Sequence, residues 1–276
     1  MQLIDSHAHV NFSAYREDAD EVIQRSLDAG ISLVNVGTQL STSKRAIDYA
    51  HKYDGVWAAI GVHPIHLVKG DFEYSDGDEL TAVEIKTIGE EVDFATYLEL
   101  AKDEKVVALG EVGLDFHHFN EGDDVDAIKA KQREVLIGFI ELANKVDKPV
   151  MIHCWDAYPE LLEVLTQHPV GRAGVIHSFI GGYKTAKKFI DLGYMIGLNG
   201  IITYSDSYTR LINEIDLENI IVETDCPYLA PGEHKGERNE PLYVAEVAKK
   251  IADVKGISLD KVAKETTINV KKLFNI

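Results

Sequence analysis

Two histidines separated by one residue, His7 and His9, end the apolar run that opens the chain, Leu3-Ile4-Asp5-Ser6-His7-Ala8-His9. In an extended strand alternate side chains share a face, so both imidazoles can address one cation. Other apolar runs end in the same way, on Glu111, on His153, on His177 and on Thr224-Asp225. Taken singly, each has an ordinary use: a buried, hydrogen-bonded histidine, a paired core acid, or a carboxylate capping the turn before Pro227. Taken together, His7, His9, Glu111, His153, His177 and Asp225 form a ligand set for two divalent ions. Such ions sit about 3.5–4 Å apart with a carboxylate between them. His63, in Gly61-Val62-His63-Pro64, follows a further apolar run and stands where a substrate contact is as natural as a structural role. His51, His66, His117, His118, His168 and His234 fall in helical or connecting segments and are expected at the surface.

These side chains converge only if the runs that carry them are neighbouring strands. After the opening strand, β-type runs are expected at 31–36, 56–62, 106–110, 149–152, 174–176, 194–198 and 220–223. Helical periodicity is expected at 19–29, 43–53, 92–101, 129–144, 158–167, 184–192, 208–215, 240–253 and 259–274. Eight apolar strands alternating with helices are the pattern of a parallel sheet buried on both faces. In about 250 residues they close best as an α/β fold of the (β/α)8 barrel type, in which all six candidate ligands lie at the C-terminal mouth. A doubly wound sheet would need a reversal of strand order, and nothing signals one. With no repeat, linker or low-complexity tract, residues 1–276 form a single domain carrying an acidic insert around 70–91 that includes the turn-like Ser75-Asp76-Gly77-Asp78.

At 45% hydrophobic and 27% charged residues, the composition is that of an ordinary soluble protein. No apolar run reaches the 18 residues of a membrane span, and no basic, apolar leader opens the chain, so a cytoplasmic location is expected. No obligate protein partner is evident. Two cysteines, Cys154 and Cys226, give no disulfide framework, and each follows a ligand position, so alternation aims them away from the mouth. A net charge of -18 argues against a broad basic face for duplex nucleic acid. It leaves a phosphate substrate open, because bound divalent cations reverse the local field.

The chain resembles the TatD-type metal-dependent deoxyribonucleases of the amidohydrolase superfamily over nearly its whole length. The matching stretches are Asp5-Ser6-His7-Ala8-His9, Gly61-Val62-His63-Pro64, Gly110-Glu111-Val112-Gly113-Leu114-Asp115, Pro149-Val150-Met151-Ile152-His153 and His177-Ser178-Phe179. They continue in Glu223-Thr224-Asp225-Cys226-Pro227-Tyr228-Leu229-Ala230-Pro231, in Arg238-Asn239-Glu240-Pro241, and in Asn269 with Leu273-Phe274. The resemblance implies that His7 and His9 hold one ion, His153 and His177 the other, and that Glu111 bridges them. Asp225 would ligate, or accept a proton from the metal-activated water.

The implied activity is phosphodiester hydrolysis, as a 3'-5' exodeoxyribonuclease on single-stranded DNA or RNA ends. The implied cofactors are two divalent ions, Mg2+, Mn2+ or Zn2+; imidazole and carboxylate ligands hold the harder Mg2+ more weakly. Two features depart from the family. Trp155 stands where many members have an arginine, and it offers base stacking in place of a phosphate contact. The acidic insert is the other. Arg238 is the best remaining phosphate contact, ahead of Lys235. Both departures keep an alternative in view, an amidohydrolase-type enzyme acting on a non-nucleic ester or amide, or an aminoacyl-tRNA deacylase.

Overall fold

The computed structural model describes residues 2–74 and 83–276. Eight strands form one parallel sheet: β1 (Leu3–Ala8), β2 (Ile31–Val36), β3 (Val56–Ile60), β6 (Val106–Asp115), β7 (Val150–Trp155), β8 (Gly174–Ile176), β9 (Met195–Leu198) and β10 (Ile220–Val222), hydrogen-bonded in that order. The helices between them are α1 (Ala19–Asp28), α2 (Leu40–Lys52), α3 (Phe94–Leu100), α4 (Val125–Val146), α5 (Tyr158–Gln167), α6 (Tyr183–Asp191) and α7 (Thr209–Glu214). After β10 come α8 (Val244–Lys255) and α9 (Leu259–Phe274). This is the expected (β/α)8 barrel in a single domain.

Strand alternation sorts the core into two shells. Ile152, Ile176 and Val222 point outward into the large cluster shared with the helices. Met151, Val175 and Ile221 point inward and meet Ile4, Val34 and Val107, and the end of α9 joins them through Val270, Leu273 and Phe274. Two residues beyond Met151, Val175 and Ile221 the same face is polar: His153 above Met151, His177 above Val175, Glu223 above Ile221. The apolar layer is thus the floor on which the polar residues stand.

The barrel closes between its first and last strands. Backbone bonds run from His9 N to Cys226 O (2.9 Å) and from Asp225 N to His7 O (2.9 Å). Side chains supply the rest: Ser6 Oγ donates to Val222 O (3.1 Å), and buried Asp5 accepts from Thr224 N (2.9 Å), Thr224 Oγ1 (2.6 Å) and His7 N (3.2 Å).

Three expectations are corrected. Glu111 and His153 lie within their strands, because β6 runs on to Asp115 and β7 to Trp155. The pairing of these strands slips between Leu109 and Val112 and resumes beyond it, as Gly113 with His153 and Asp115 with Trp155. The acidic insert contains an antiparallel ribbon of β4 (Lys69–Tyr74) and β5 (Val83–Ile88), in which Phe72 pairs with Ile85 and Lys69 with Ile88. The turn at Ser75-Asp76-Gly77-Asp78 lies outside the described residues. Helix α4 starts four residues earlier than its apolar periodicity suggests, because the Asp124 carboxylate caps it by accepting from Ala127 N (3.1 Å). No helix among the described residues is long and apolar enough to cross a membrane.

Because the Asp5–Thr224 pair is fully buried at the seam, Thr224→Val should lower unfolding free energy by about 1–3 kcal/mol, the cost of a buried acceptor losing its donor. Urea denaturation reads this directly, and an unchanged midpoint would show that the backbone bonds alone close the barrel.

Candidate metal centre

Six side chains from five strands or strand ends meet at the mouth of the barrel. His7 and His9 sit at the end of β1, and their Nε2 atoms approach to 3.0 Å. From β6, Glu111 reaches between two groups of rings. Its Oε2 lies 3.5 Å from His7 Nε2 and 3.7 Å from His9 Nε2, and its Oε1 lies 3.1 Å from His153 Nδ1 and 2.8 Å from His177 Nε2. Asp225 Oδ1 closes the first group at 3.3 Å from His9 Nε2 and 3.8 Å from His7 Nε2. Asp225 has φ 57°, a left-handed conformation that aspartate tolerates better than most residues. All six side chains are buried.

Hydrogen bonds around the rings decide which nitrogens are lone pairs. His9 Nδ1 is 2.9 Å from Val36 O; a carbonyl only accepts, so Nδ1 carries the proton and Nε2 presents its lone pair inward. His153 Nε2 lies 3.1 Å from Asp115 Oδ2, which likewise leaves Nδ1 as the inward nitrogen. His63 is the opposite case. Ile65 N donates to its Nδ1 (3.2 Å), so the proton is on Nε2, 3.4 Å from Glu111 Oε1. Although His63, Glu111 and His153 are close enough together to hold an ion, this tautomer makes His63 a hydrogen-bond donor.

The electrostatics agree. Burial lowers the pKa of His7 and places His63 well below the ordinary histidine value, which keeps both rings neutral at pH 7. Burial alone would raise Glu111, but His177, His63 and His153 outweigh it and hold the carboxyl well below its usual value. Burial opposes a proton on His177 too, yet Glu111 and Glu223 raise it well above normal. The acids therefore favour positive charge at the centre of the cluster. Buried His177 Nε2 has no hydrogen-bond partner, because Glu111 Oε1, though close, is out of line for one. Neutral imidazole lone pairs, ionised carboxylates and an unpartnered buried nitrogen suit divalent ions of borderline softness.

Several supporting residues carried no clear signal in sequence. Asp115, fully buried, accepts from His153, from His118 Nδ1 (2.8 Å) and from the backbone N–H of His117 and His118. These partners hold it ionised despite its burial. Glu223 accepts from Ser178 N (2.5 Å) and lies 3.5 Å from His177 Nδ1. A Cβ on Gly197 would come within 2.6 Å of Glu223 Oε2, so only glycine fits beside it. His118 and His66, expected at the surface, line the cavity over the cluster; His66 Nδ1 is 2.7 Å from Gln39 Nε2, and burial lowers its pKa to about 4. Cys154 and Cys226 are buried, and burial pushes the Cys226 thiol up to about 12.

The cavity above the cluster measures about 350 Å³ and is lined by His63, Trp155, Tyr228 and, of the ligand-type residues, His9, Glu111, His153, His177 and Asp225. Trp155 stacks on His118 (5.4 Å, 28°) and on His153 (6.2 Å, 18°). Arg238 is elsewhere. Its guanidinium is clamped by both carboxylate oxygens of Asp18 and lies over the Tyr15 ring, outside the cavity lining, which removes the sequence-based reason for assigning it a phosphate. The partner, 220 residues away, was not visible from the sequence.

A family profile described as TatD related DNase matches residues 4–275. The chain belongs to the TatD family. The metal-dependent hydrolase YabD of Bacillus subtilis is 34% identical over 278 residues, covering 99% of both chains. YcfH of Escherichia coli, also named a metal-dependent hydrolase, is 31% identical over 283 residues, covering 100% of this chain and 97% of its own. The crystal structure of the Escherichia coli TatD homolog YjjV superposes with a TM-score of 0.83 at 30% identity, covering 99% of this chain and 98% of that one. TatD membership places the chain among the metal-dependent hydrolases.

Removing the Asp115 carboxylate frees the His153 ring to rotate or change tautomer. Asp115→Ala should therefore lower metal affinity about 10–100-fold with the fold intact, as outer hydrogen-bond partners of ligands do. Metal titration beside a circular dichroism spectrum measures it; full affinity in a folded variant would show that His153 needs no orienting group.

Proposed function

We propose that this protein is a two-metal phosphodiester hydrolase that removes nucleotides from the 3' ends of single-stranded DNA or RNA. The observation that carries the reading is the division of Glu111, one carboxylate oxygen toward His7 and His9 and the other toward His153 and His177. In this reading His7, His9 and Asp225 hold one ion, His153 and His177 the other, and Glu111 both. Two bound divalent ions would supply an activated water and charge compensation for the phosphoryl oxygens.

The chain's own groups do the remaining work. Asp225, held below the usual carboxylate pKa by His9, His177 and His7 against its burial, is ionised and takes the proton of the attacking water. It returns that proton to the ribose oxygen as the bond to phosphorus breaks. His63 donates from Nε2 to a non-bridging phosphoryl oxygen, which a neutral ring can do at any pH near 7. Trp155, on the cavity wall, offers its face to the terminal base. The described mouth gives no duplex a broad basic surface, in keeping with the single-strand preference.

The test is time-resolved digestion of 3'-labelled and 5'-labelled single-stranded oligonucleotides with Mg2+, Mn2+ or Zn2+ added separately. Stepwise shortening from the 3' end is expected, reduced about 10²–10⁴-fold in Asp225→Ala, the range for loss of a general base, and at least as much in Glu111→Ala. No shortening under any metal by protein that still holds metal would move the substrate to an acyl ester or amide, with the same acids and histidines in place.

A further inference from the structure

Four arginines and several lysines of this acidic chain are matched with a nearby acid, the arginines being Arg25 with Glu240, Arg133 with Glu163, Arg210 with Glu214 and Arg238 with Asp18. Two cations in the cavity differ. Arg45, one turn into α2, uses only Nε, donating to Asn11 O (2.9 Å), and pairs with no acid among the described residues. Lys86, on β5 of the ribbon, lies directly across from Asp71 yet forms no ion pair with it or with any other described side chain. Both are exposed, and both line the same cavity as Glu111 and Asp225. Beside them the ribbon contributes Phe72, nearly buried at 6% exposure.

In a chain of 46 acidic and 28 basic residues, two cations on one cavity wall without an acid partner among the described residues give that wall a local positive field suited to an anion. The ribbon that carries Lys86 also carries Phe72, so one element supplies both a cation and an apolar wall to the cavity. We propose that Arg45 and Lys86 form a second anion subsite, which takes the phosphate next to the scissile one. The ribbon thereby selects oligonucleotides over isolated phosphodiesters. The proposal rests on the nuclease reading for the identity of the anion. Phe72 walls the subsite with an apolar surface on which the sugar between the two phosphates can rest.

A cycle between protein and ligand tests it. The probe is a 5'-fluorescein-labelled hexathymidylate whose 3'-terminal linkage is a phosphorothioate, which slows cleavage but keeps the charge. A second probe replaces the adjacent phosphate with an uncharged methylphosphonate. Fluorescence anisotropy is measured with metal-loaded full-length protein. Wild type should bind the second probe about five- to tenfold more weakly than the first. The Arg45→Gln, Lys86→Ala double variant should bind the first probe as weakly as wild type binds the second, and should show no further loss on the second. Its logarithmic salt slope should be shallower by about 0.7. The Lys102→Ala, Lys187→Ala double variant, an equal charge change at surface pairs with Glu99 and Asp191, should leave both affinities unchanged.

The subsite is overturned if the double variant binds the first probe like wild type, if the methylphosphonate loss persists in it, or if wild type binds neither probe at low salt. A closed cycle without shortening of the all-phosphate strand under any metal would sink the nuclease reading and leave the subsite standing.

Discussion

The mouth of this barrel depends on one crowded contact, the Glu111 carboxylate wedged between imidazoles. Nitrogens with inward lone pairs and ionised acids cannot be packed at 3–4 Å without strong mutual interaction, and burial removes the water that would damp it. A further ring of hydrogen-bond partners sets the protons of three of these imidazoles. Val36 O takes that of His9, and Asp115 takes that of His153. Ile65 N–H, by occupying His63 Nδ1, forces the proton of that ring to the opposite nitrogen. Identical side chains are thereby given different duties: two with basic nitrogens aimed inward, and one with an N–H.

That outer ring explains why the sequence showed the centre better than its supports. His7 and His9 announce themselves by a one-residue gap on a strand, and Glu111, His153, His177 and Asp225 by ending apolar runs. Asp115 had a weaker signal, since it lies four residues beyond Glu111 on one strand and so on the same face. It was passed over because β6 was expected to stop before reaching it. The Val36 carbonyl and the Ile65 N–H carry no side-chain signature at all. Arg238 illustrates the reverse error: a cation beside a family motif looked available for phosphate, whereas Asp18, distant in sequence, already held it.

The fold itself was legible for a simpler reason. Parallel strands buried on both faces must be apolar throughout, so composition alone marks them, and alternating helices leave few topologies. The insert escaped because its strands carry charge on their exposed positions, Lys69, Asp71 and Lys86, and because a two-stranded ribbon has only one face to bury. Its buried positions, Phe72 and Thr87, do alternate with the exposed ones, but over too few residues to stand out from the acidic background.

The seam between β1 and β10 has a consequence for the timing of synthesis. His7 and His9 leave the ribosome with the first strand of the barrel, while Asp225 and its neighbours, which hold them by the Asp225 N to His7 O bond, emerge only after the eighth. Until then the leading strand has no closing partner, and the histidines belong to a sheet with an open edge. A nascent chain cannot assemble the full centre, so a half-made hydrolase lacks part of its ligand set. Catalytic competence arrives together with the last strand.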